Sequence, residues 1–145
     1  MNKPPDNFIK LFRKHHLLSL ATYDGNSPWC CSCFYAYLQS ENFFVVTSDI
    51  NTKHIQNLNH SINVAGTIAL ETKIIGKIRG VQFTGIMKKL DGEELKTAKK
   101  AYLKRFPIAS LMKTTLWAIY PDMLKLTDNR LGFGKKIIWN SSDEN

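Results

Sequence analysis

The segment Leu17–Leu38, LLSLATYDGNSPWCCSCFYAYL, determines the fold expected for this chain. Leu17–Ala21 and Pro28–Leu38 are rich in apolar and aromatic residues, a composition that favours β-strands. Between them, Tyr23-Asp24-Gly25-Asn26 predicts a hairpin turn, because glycine tolerates the positive φ that such turns need. The segment therefore predicts two antiparallel strands joined by a tight turn.

The same alternation of strand-like runs and turn residues continues along the chain. Four further strands are predicted at Phe43–Ser48, Ile62–Leu70, Ile78–Leu90 and Leu116–Thr127, the last interrupted near Pro121. Helices are predicted to begin at Phe8 and to span Asn51–Leu58 and Glu93–Phe106. About six strands joined by short connections predict a mainly β fold with flanking helices, in which an antiparallel sheet curls into a barrel and so closes its edges.

Length and composition favour a single cytoplasmic domain. The 145 residues, taken as one domain over 1–145, are enough to bury a core without disulfides or a structural metal. No apolar run reaches the roughly 20 residues of a membrane helix, and no secretion signal is seen, so the three cysteines are expected to stay reduced. The short apolar run Ile137–Trp139 precedes a polar tail, Asn140–Asn145, that we expect to be frayed.

The basic charge is concentrated in one stretch. The chain has a formal net charge of +8, and the stretch Lys77–Lys113 contains ten basic residues and three acidic ones. Such a patch attracts anions, which could be nucleic acid or a phosphorylated small molecule. The stripe lacks interleaved aromatic residues for base stacking, so a solvated helix face is favoured and nucleic-acid binding is not expected.

The best candidate for a phosphate site lies where the strand Phe43–Ser48 meets the helix predicted after it. Thr47, Ser48, Thr52 and Lys53 bring hydroxyls and one ammonium to this bend, and helix N-termini favour anions. Ordinary helix capping by Ser48, Asp49 or Asn51 is the alternative.

The cysteine cluster Cys30-Cys31-Ser32-Cys33 is interpreted as structural rather than metal-binding. In a strand, Cys30 and Cys33 point to opposite faces. Cys31 and Cys33 share a face, but two thiolates supply only half of a zinc site. No metal is therefore predicted, and His54 is expected to be a surface histidine that could assist a phosphate.

Two glycines interrupt the strand predicted at Ile78–Leu90. Gly80 and Gly85 weaken a strand unless something approaches the backbone closely there. A planar heterocycle lying over Gln82 would explain them, and a bulge at a barrel corner would explain them equally well.

Several stretches, in this order, carry a family resemblance. They are Trp29-Cys30, Cys33-Phe34-Tyr35, Thr52-Lys53-His54, Val64-Ala65-Gly66-Thr67, Ile78–Phe83 with Gly85, Lys100-Ala101-Tyr102, Arg105-Phe106-Pro107, Thr127-Asp128-Asn129, and Leu131–Lys136 ahead of Trp139. Together they resemble the pyridoxamine 5′-phosphate oxidase-like FMN-binding split-barrel superfamily, and within it the YhbP-type proteins.

The resemblance implies a six-stranded antiparallel split β-barrel that forms a homodimer with FMN at the subunit interface. It places the FMN phosphate at Thr47, Ser48, Thr52 and Lys53, and the isoalloxazine near Cys33, Phe34, Arg79 and Gln82. The substrate-side arginines of the oxidase are not evident, so oxidation of pyridoxamine phosphate itself is not expected.

The leading functional hypothesis is an FMN-binding flavoprotein, an oxidoreductase that transfers hydride to or from an unidentified small substrate. No catalytic residue is assigned. The alternatives are a non-enzymatic split-barrel module that binds haem, another cofactor or a protein partner, and a nucleic-acid-binding protein that uses the stripe Lys88–Arg105.

Overall fold

The structure is a computed structural model that describes residues 2–143. In this range it has seven strands, β1 (Leu17–Tyr23), β2 (Pro28–Leu38), β3 (Phe43–Ser48), β4 (Asn63–Ala69), β5 (Arg79–Lys89), β6 (Thr115–Asp128) and β7 (Lys136–Asn140). The helices are α1 (Asp6–Lys14), α2 (Lys53–Gln56) and α3 (Gly92–Arg105), with 3₁₀ helices at Asn57–Asn59, Ile75–Lys77, Pro107–Leu111 and Asn129–Leu131.

Six of the strands close into an antiparallel barrel, as predicted. Their order is β3-β2-β1-β4-β5-β6, and β3 also pairs with β6 to complete the circle. The hairpin predicted at the start is present: Leu17 pairs with Phe34 and Tyr23 with Pro28. At its turn, the Asp24 carboxylate accepts hydrogen bonds from the backbone N–H groups of Asn26 and Ser27 at 2.8 and 2.7 Å.

The C-terminal segment differs from the prediction. Lys136–Asn140 forms β7, which extends the sheet beyond β6 and buries Trp139. The backbone N–H of Ser141 then donates to the Asp122 carbonyl at 2.8 Å. The expectation of a frayed tail is thus wrong for residues 140–143, because the apolar run Ile137–Trp139 pairs with the preceding strand β6; residues 144 and 145 lie outside the described range.

The core has two layers. Inside the barrel, α1 contributes Phe8 and Phe12, and the Phe12 ring meets that of Phe44 edge-on at 4.8 Å. Outside it, α3 packs Ala98 and Tyr102 against the outward side chains of β2, β3 and β6, which are Ala36, Leu38, Phe43, Val45 and Ala118. The helix α3 therefore covers only part of the barrel wall.

Arg105 connects α3 to the end of α1. Its guanidinium donates to the carbonyls of Tyr35 at 2.9 Å and Arg13 at 3.1 Å, and also to that of His15. A basic residue of the predicted stripe is thus used internally to satisfy carbonyls that the end of α1 leaves without helical partners.

A bulge between β5 and β6 explains one of the two strand glycines. The register shifts after Thr84, where Gly85 pairs with Pro121. A Cβ at Gly85 would lie 2.2 Å from the Tyr120 carbonyl oxygen, a distance that excludes any side chain. The strand β6 runs through Pro121 without ending there.

Candidate functional site

The part of the barrel wall that α3 leaves uncovered is a face of mostly small side chains. Across β2, β1, β4 and β5, one row pairs Ser32, Ser19, Thr67 and Gln82, and the next pairs Cys30, Ala21, Ala65 and Thr84. We call these eight residues the open face. Their side chains are exposed or half-buried, so a flat partner can approach the sheet closely.

An apolar pair lies at one edge of the open face. Leu17 and Phe34 are cross-strand partners, and they are 51% and 56% exposed. The Phe34 ring also packs 5.3 Å from that of Phe106. Exposed apolar side chains next to a flat sheet are typical of surfaces that bind a partner.

Only some of the predicted isoalloxazine residues point to this face. Phe34 and Gln82 do, but Cys33 and Arg79 do not, because successive residues of a strand point to opposite sides. Cys33 is buried inside the barrel. Arg79 lines a separate cavity of about 340 Å³ with Lys10, Lys14 and His15 among others. The four residues thus do not converge on one ring.

The predicted phosphate residues also diverge. The Thr47 hydroxyl points under α3 and lies 3.3 Å from the Tyr102 hydroxyl. The Ser48 hydroxyl points the other way, to Nε2 of His54 at 2.5 Å. Thr52 donates to the Asp49 carbonyl at 2.8 Å. The three hydroxyls therefore make separate internal hydrogen bonds and do not form a common cradle.

Lys53 is the predicted phosphate residue with a half-exposed cationic side chain. Its ammonium lies 3.5 Å from the Asp24 carboxylate and 5.6 Å from the centre of the Trp29 ring. Asp24 belongs to the turn between β1 and β2. Lys53 therefore lies at the hairpin end of β1 and β2, against the Trp29 ring.

A cluster that the sequence did not reveal lies at the inner side of β2. The sulfur atoms of Cys31 and Cys33 are 3.8 Å apart, and a ring nitrogen of His54 lies within 4.8 Å of both. The expectation of a surface histidine is wrong, since His54 is only 8% exposed. The short helix α2 folds back over the barrel after β3, and nothing in the local sequence pattern indicates this return.

The two thiols of this cluster have opposite acid–base tendencies. A hydrogen bond from Cys33 lowers the pKa of Cys31, and His54 nearby adds to this effect. The same hydrogen bond, together with burial, raises the pKa of Cys33. Of the two, Cys31 is therefore the thiol that ionises first.

The basic stripe carries little evidence of a nucleic-acid site. Lys96 pairs with Glu93 at 2.6 Å, and Arg105 is used inside the fold. The exposed Lys96–Glu93 pair favours the interpretation of α3 as a solvated helix face, while Arg105 is occupied by carbonyls of the fold. Among the helices of residues 2–143, none has the length and apolar character needed to cross a membrane.

Comparison with known proteins identifies close relatives and a shared fold. No family model matches the chain. It is 40% identical over 137 residues to UPF0306 protein plu4501 of Photorhabdus laumondii, a match that covers 92% of this chain and 96% of that protein. It is 41% identical over 127 residues to UPF0306 protein YhbP of Escherichia coli O157:H7, covering 87% of this chain and 86% of the relative.

Solved structures with the same fold are more distant in sequence. A heme binding protein from Mycobacterium smegmatis superposes with a TM-score of 0.78 at 17% identity, over 97% of this chain and 60% of that one. HutZ, the heme storage protein from Vibrio cholerae, gives 0.67 at 17% identity, over 83% and 91%. A protein of Listeria innocua provisionally named a pyridoxamine 5′-phosphate oxidase gives 0.68 at 11% identity, over 83% and 95%.

These structures confirm the split barrel, and the full-length relatives confirm the resemblance seen in the sequence. The identity to both UPF0306 proteins extends over nearly the whole chain. With the fold of these split barrels, the protein belongs to the UPF0306 family, which includes YhbP.

Proposed function

We propose that this protein is a cytoplasmic, homodimeric split barrel that binds FMN on the open face. The observation that carries the proposal is the uncovered wall of β2, β1, β4 and β5, where paired rows of small side chains end in the exposed Leu17–Phe34 pair. One protomer offers only one wall to a planar ligand. A second copy would supply the opposite wall and keep water from the apolar edge.

The chain's own residues would divide the binding of FMN among them. Phe34 and Leu17 would pack against the ring system, which prefers apolar and aromatic neighbours. The Gln82 amide, exposed on the same face, can both donate and accept hydrogen bonds at the ring edge. Lys53 would provide the charged contact to the phosphate. FMN, when bound, supplies hydride transfer to or from a small substrate.

Haem is the second candidate for the same face. Two of the structures that share the fold are haem proteins. In this chain His16 is exposed and packs 6.1 Å from the Phe106 ring, next to the Leu17–Phe34 pair. An exposed imidazole at the edge of a flat apolar surface could ligate haem iron.

Titration of the purified protein tests both candidates. We expect FMN fluorescence to be quenched at micromolar protein, and light scattering after gel filtration to give the mass of a dimer. A folded protein that leaves FMN fluorescence unchanged would refute the flavin proposal. Hemin is titrated in parallel; haem bands that form in the wild type and are lost in His16→Ala would establish the second candidate instead.

A further inference from the structure

The cluster of Cys31, Cys33 and His54 has the dimensions of a metal site. Zinc–sulfur bonds of about 2.3 Å at a tetrahedral angle place two thiolates roughly 3.8 Å apart, and the two sulfur atoms are 3.8 Å apart here. The three potential ligand atoms all lie within 4.8 Å of one another. One ion could therefore contact all three after small rotations of the side chains.

The surrounding backbone holds the three side chains in place. Because Tyr35 pairs with Val46, the register of β2 and β3 brings Ser48 level with Cys33. The Ser48 carbonyl accepts a hydrogen bond from the Trp117 indole at 3.1 Å, and the Ser48 hydroxyl contacts the His54 ring. Such a contact orients a metal-binding imidazole in known sites.

A buried hydrogen bond fixes the helix that carries His54. The amide of Asn57 donates to the Thr22 hydroxyl at 3.0 Å, and both residues are buried. This bond ties the chain just after α2 to the inner side of β1. The imidazole is thus held over the two thiols from a separate element.

Packing alone does not account for this arrangement. A buried thiol is often simply a small apolar side chain, which would explain Cys33 by itself. His54 is 8% exposed and is hydrogen-bonded to Ser48 through Nε2, so the cost of burying its polar ring is offset. Packing of apolar side chains does not require that this imidazole also lie beside two thiols. A bound cation would satisfy all three groups together.

We infer that Cys31, Cys33 and His54 bind one thiophilic d¹⁰ metal ion, Zn²⁺ or Cu⁺, at the inner side of β2. Binding would replace the two thiol protons by the metal, with the neutral imidazole as third ligand. Cys31 is half-buried, so a fourth position would face the solvent. The site is separate from the open face, which lies on the other side of the same strand, and it does not depend on FMN binding.

Metal binding to the full chain under reducing conditions tests the inference. We expect the wild type to bind one equivalent of Zn²⁺, measured by competition with a chromophoric chelator, and Co²⁺ to show thiolate charge-transfer absorption. Cys31→Ser and His54→Gln should each weaken Zn²⁺ binding at least about tenfold, the loss that even changes outside the ligands can cause. Cys30→Ser, on the opposite face of β2, is the matched control and should bind like the wild type.

A parallel titration with Cu⁺ and a copper(I)-specific chelator identifies the preferred ion. Stoichiometric binding of either ion that needs Cys31 and His54 supports the site. The inference is overturned if the wild type binds neither ion, or if Cys31→Ser and His54→Gln bind as well as Cys30→Ser. Circular dichroism of each variant shows whether it is folded. If His54→Gln does not fold, Ser48→Ala is used instead, because it keeps all three ligands. We expect Ser48→Ala to weaken metal binding by a smaller but measurable factor, and an unchanged affinity for the metal counts against the site.

Discussion

Neighbouring residues in this barrel serve opposite sides of the wall. Cys33 faces the interior and Phe34 the open face, while Thr47 points under α3 and Ser48 towards His54. Sequence proximity suggested shared sites for these residues, but the two-residue period of a strand separates them. For single residues, the sequence therefore predicted the type of chemical group at each position, but it did not predict which other group that side chain contacts.

Lys53 is the residue whose proposed role in FMN binding can be tested most directly. Lys53→Ala should weaken the binding of FMN more than that of riboflavin, because only FMN carries the phosphate that an ammonium would contact. Fluorescence titrations with both ligands measure the difference. Lys73→Ala, an exposed lysine after β4, serves as the control, and equal losses for the two flavins would show that Lys53 does not touch the phosphate.

Asp128 gives a pH-dependent contribution to stability. Hydrogen bonds from the Arg130 side chain, at 2.7 and 3.0 Å, lower the pKa of its carboxyl below the ordinary value of 3.8. The folded state therefore binds this proton less readily than the unfolded state, so the stabilisation is present at neutral pH and is lost as the pH falls through the lowered pKa.

We expect Asp128→Asn to lower the free energy of unfolding at pH 7 by about 1 kcal/mol. The difference from the wild type should shrink as the solution becomes strongly acidic. Urea unfolding across this pH range measures it, and a difference that does not change with pH would contradict the assignment.

At the scale of elements, the features encoded by local sequence signals were predicted correctly, and those that depend on contacts with another element were not. The β1–β2 hairpin and α3 follow from turn residues and from a helical apolar period, and both are where the sequence placed them. The strand β7 pairs with the preceding strand β6, where Leu124 lies opposite Trp139, and the burial of His54 depends on packing beside Cys31 of β2. No local pattern encodes those partners, which is why both were missed.

Arg105 should stabilise the junction of α1, β2 and α3. Arg105→Ala removes hydrogen bonds to the carbonyls of Tyr35, Arg13 and His15 and is expected to cost about 2 kcal/mol, since it leaves these acceptors unpaired. Thermal and urea unfolding measure the loss. Lys104→Ala, an exposed neighbour, should change stability by less than about 0.5 kcal/mol; equal effects in the two variants would argue against the junction.

At the scale of the whole molecule, the covering of the barrel is one-sided. The helix α3 protects the wall formed by β3, β6 and half of β2, and it leaves the open face uncovered. The barrel predicted from the sequence is present, while the dimer expected from the family resemblance stays a prediction. The sequence did not show which wall would be free, because that depends on where α3 packs.

A substitution at the centre of the open face tests the proposal that this face is the dimer surface. Ser19→Arg adds a long charged side chain between Ser32 and Thr67 and should convert a dimer into a monomer and abolish FMN binding. Thr97→Arg, on the exposed side of α3, should leave both unchanged. Light scattering and flavin titration provide the measurements, and a Ser19→Arg dimer that still binds FMN would remove the open face from the interface.

The pairing that closes the barrel also dictates when this protein can acquire its shape during synthesis. β3 meets β6 through contacts such as Val45 with Ala118, so the ring stays open until most of the polypeptide has left the ribosome. Until then the nascent chain exposes the edges of β3 and β5, and strand edges invite pairing with other chains. The pairing of β3 with β6 is slow and late because it joins residues that are far apart in the sequence. We therefore expect chaperones to bind the emerging polypeptide.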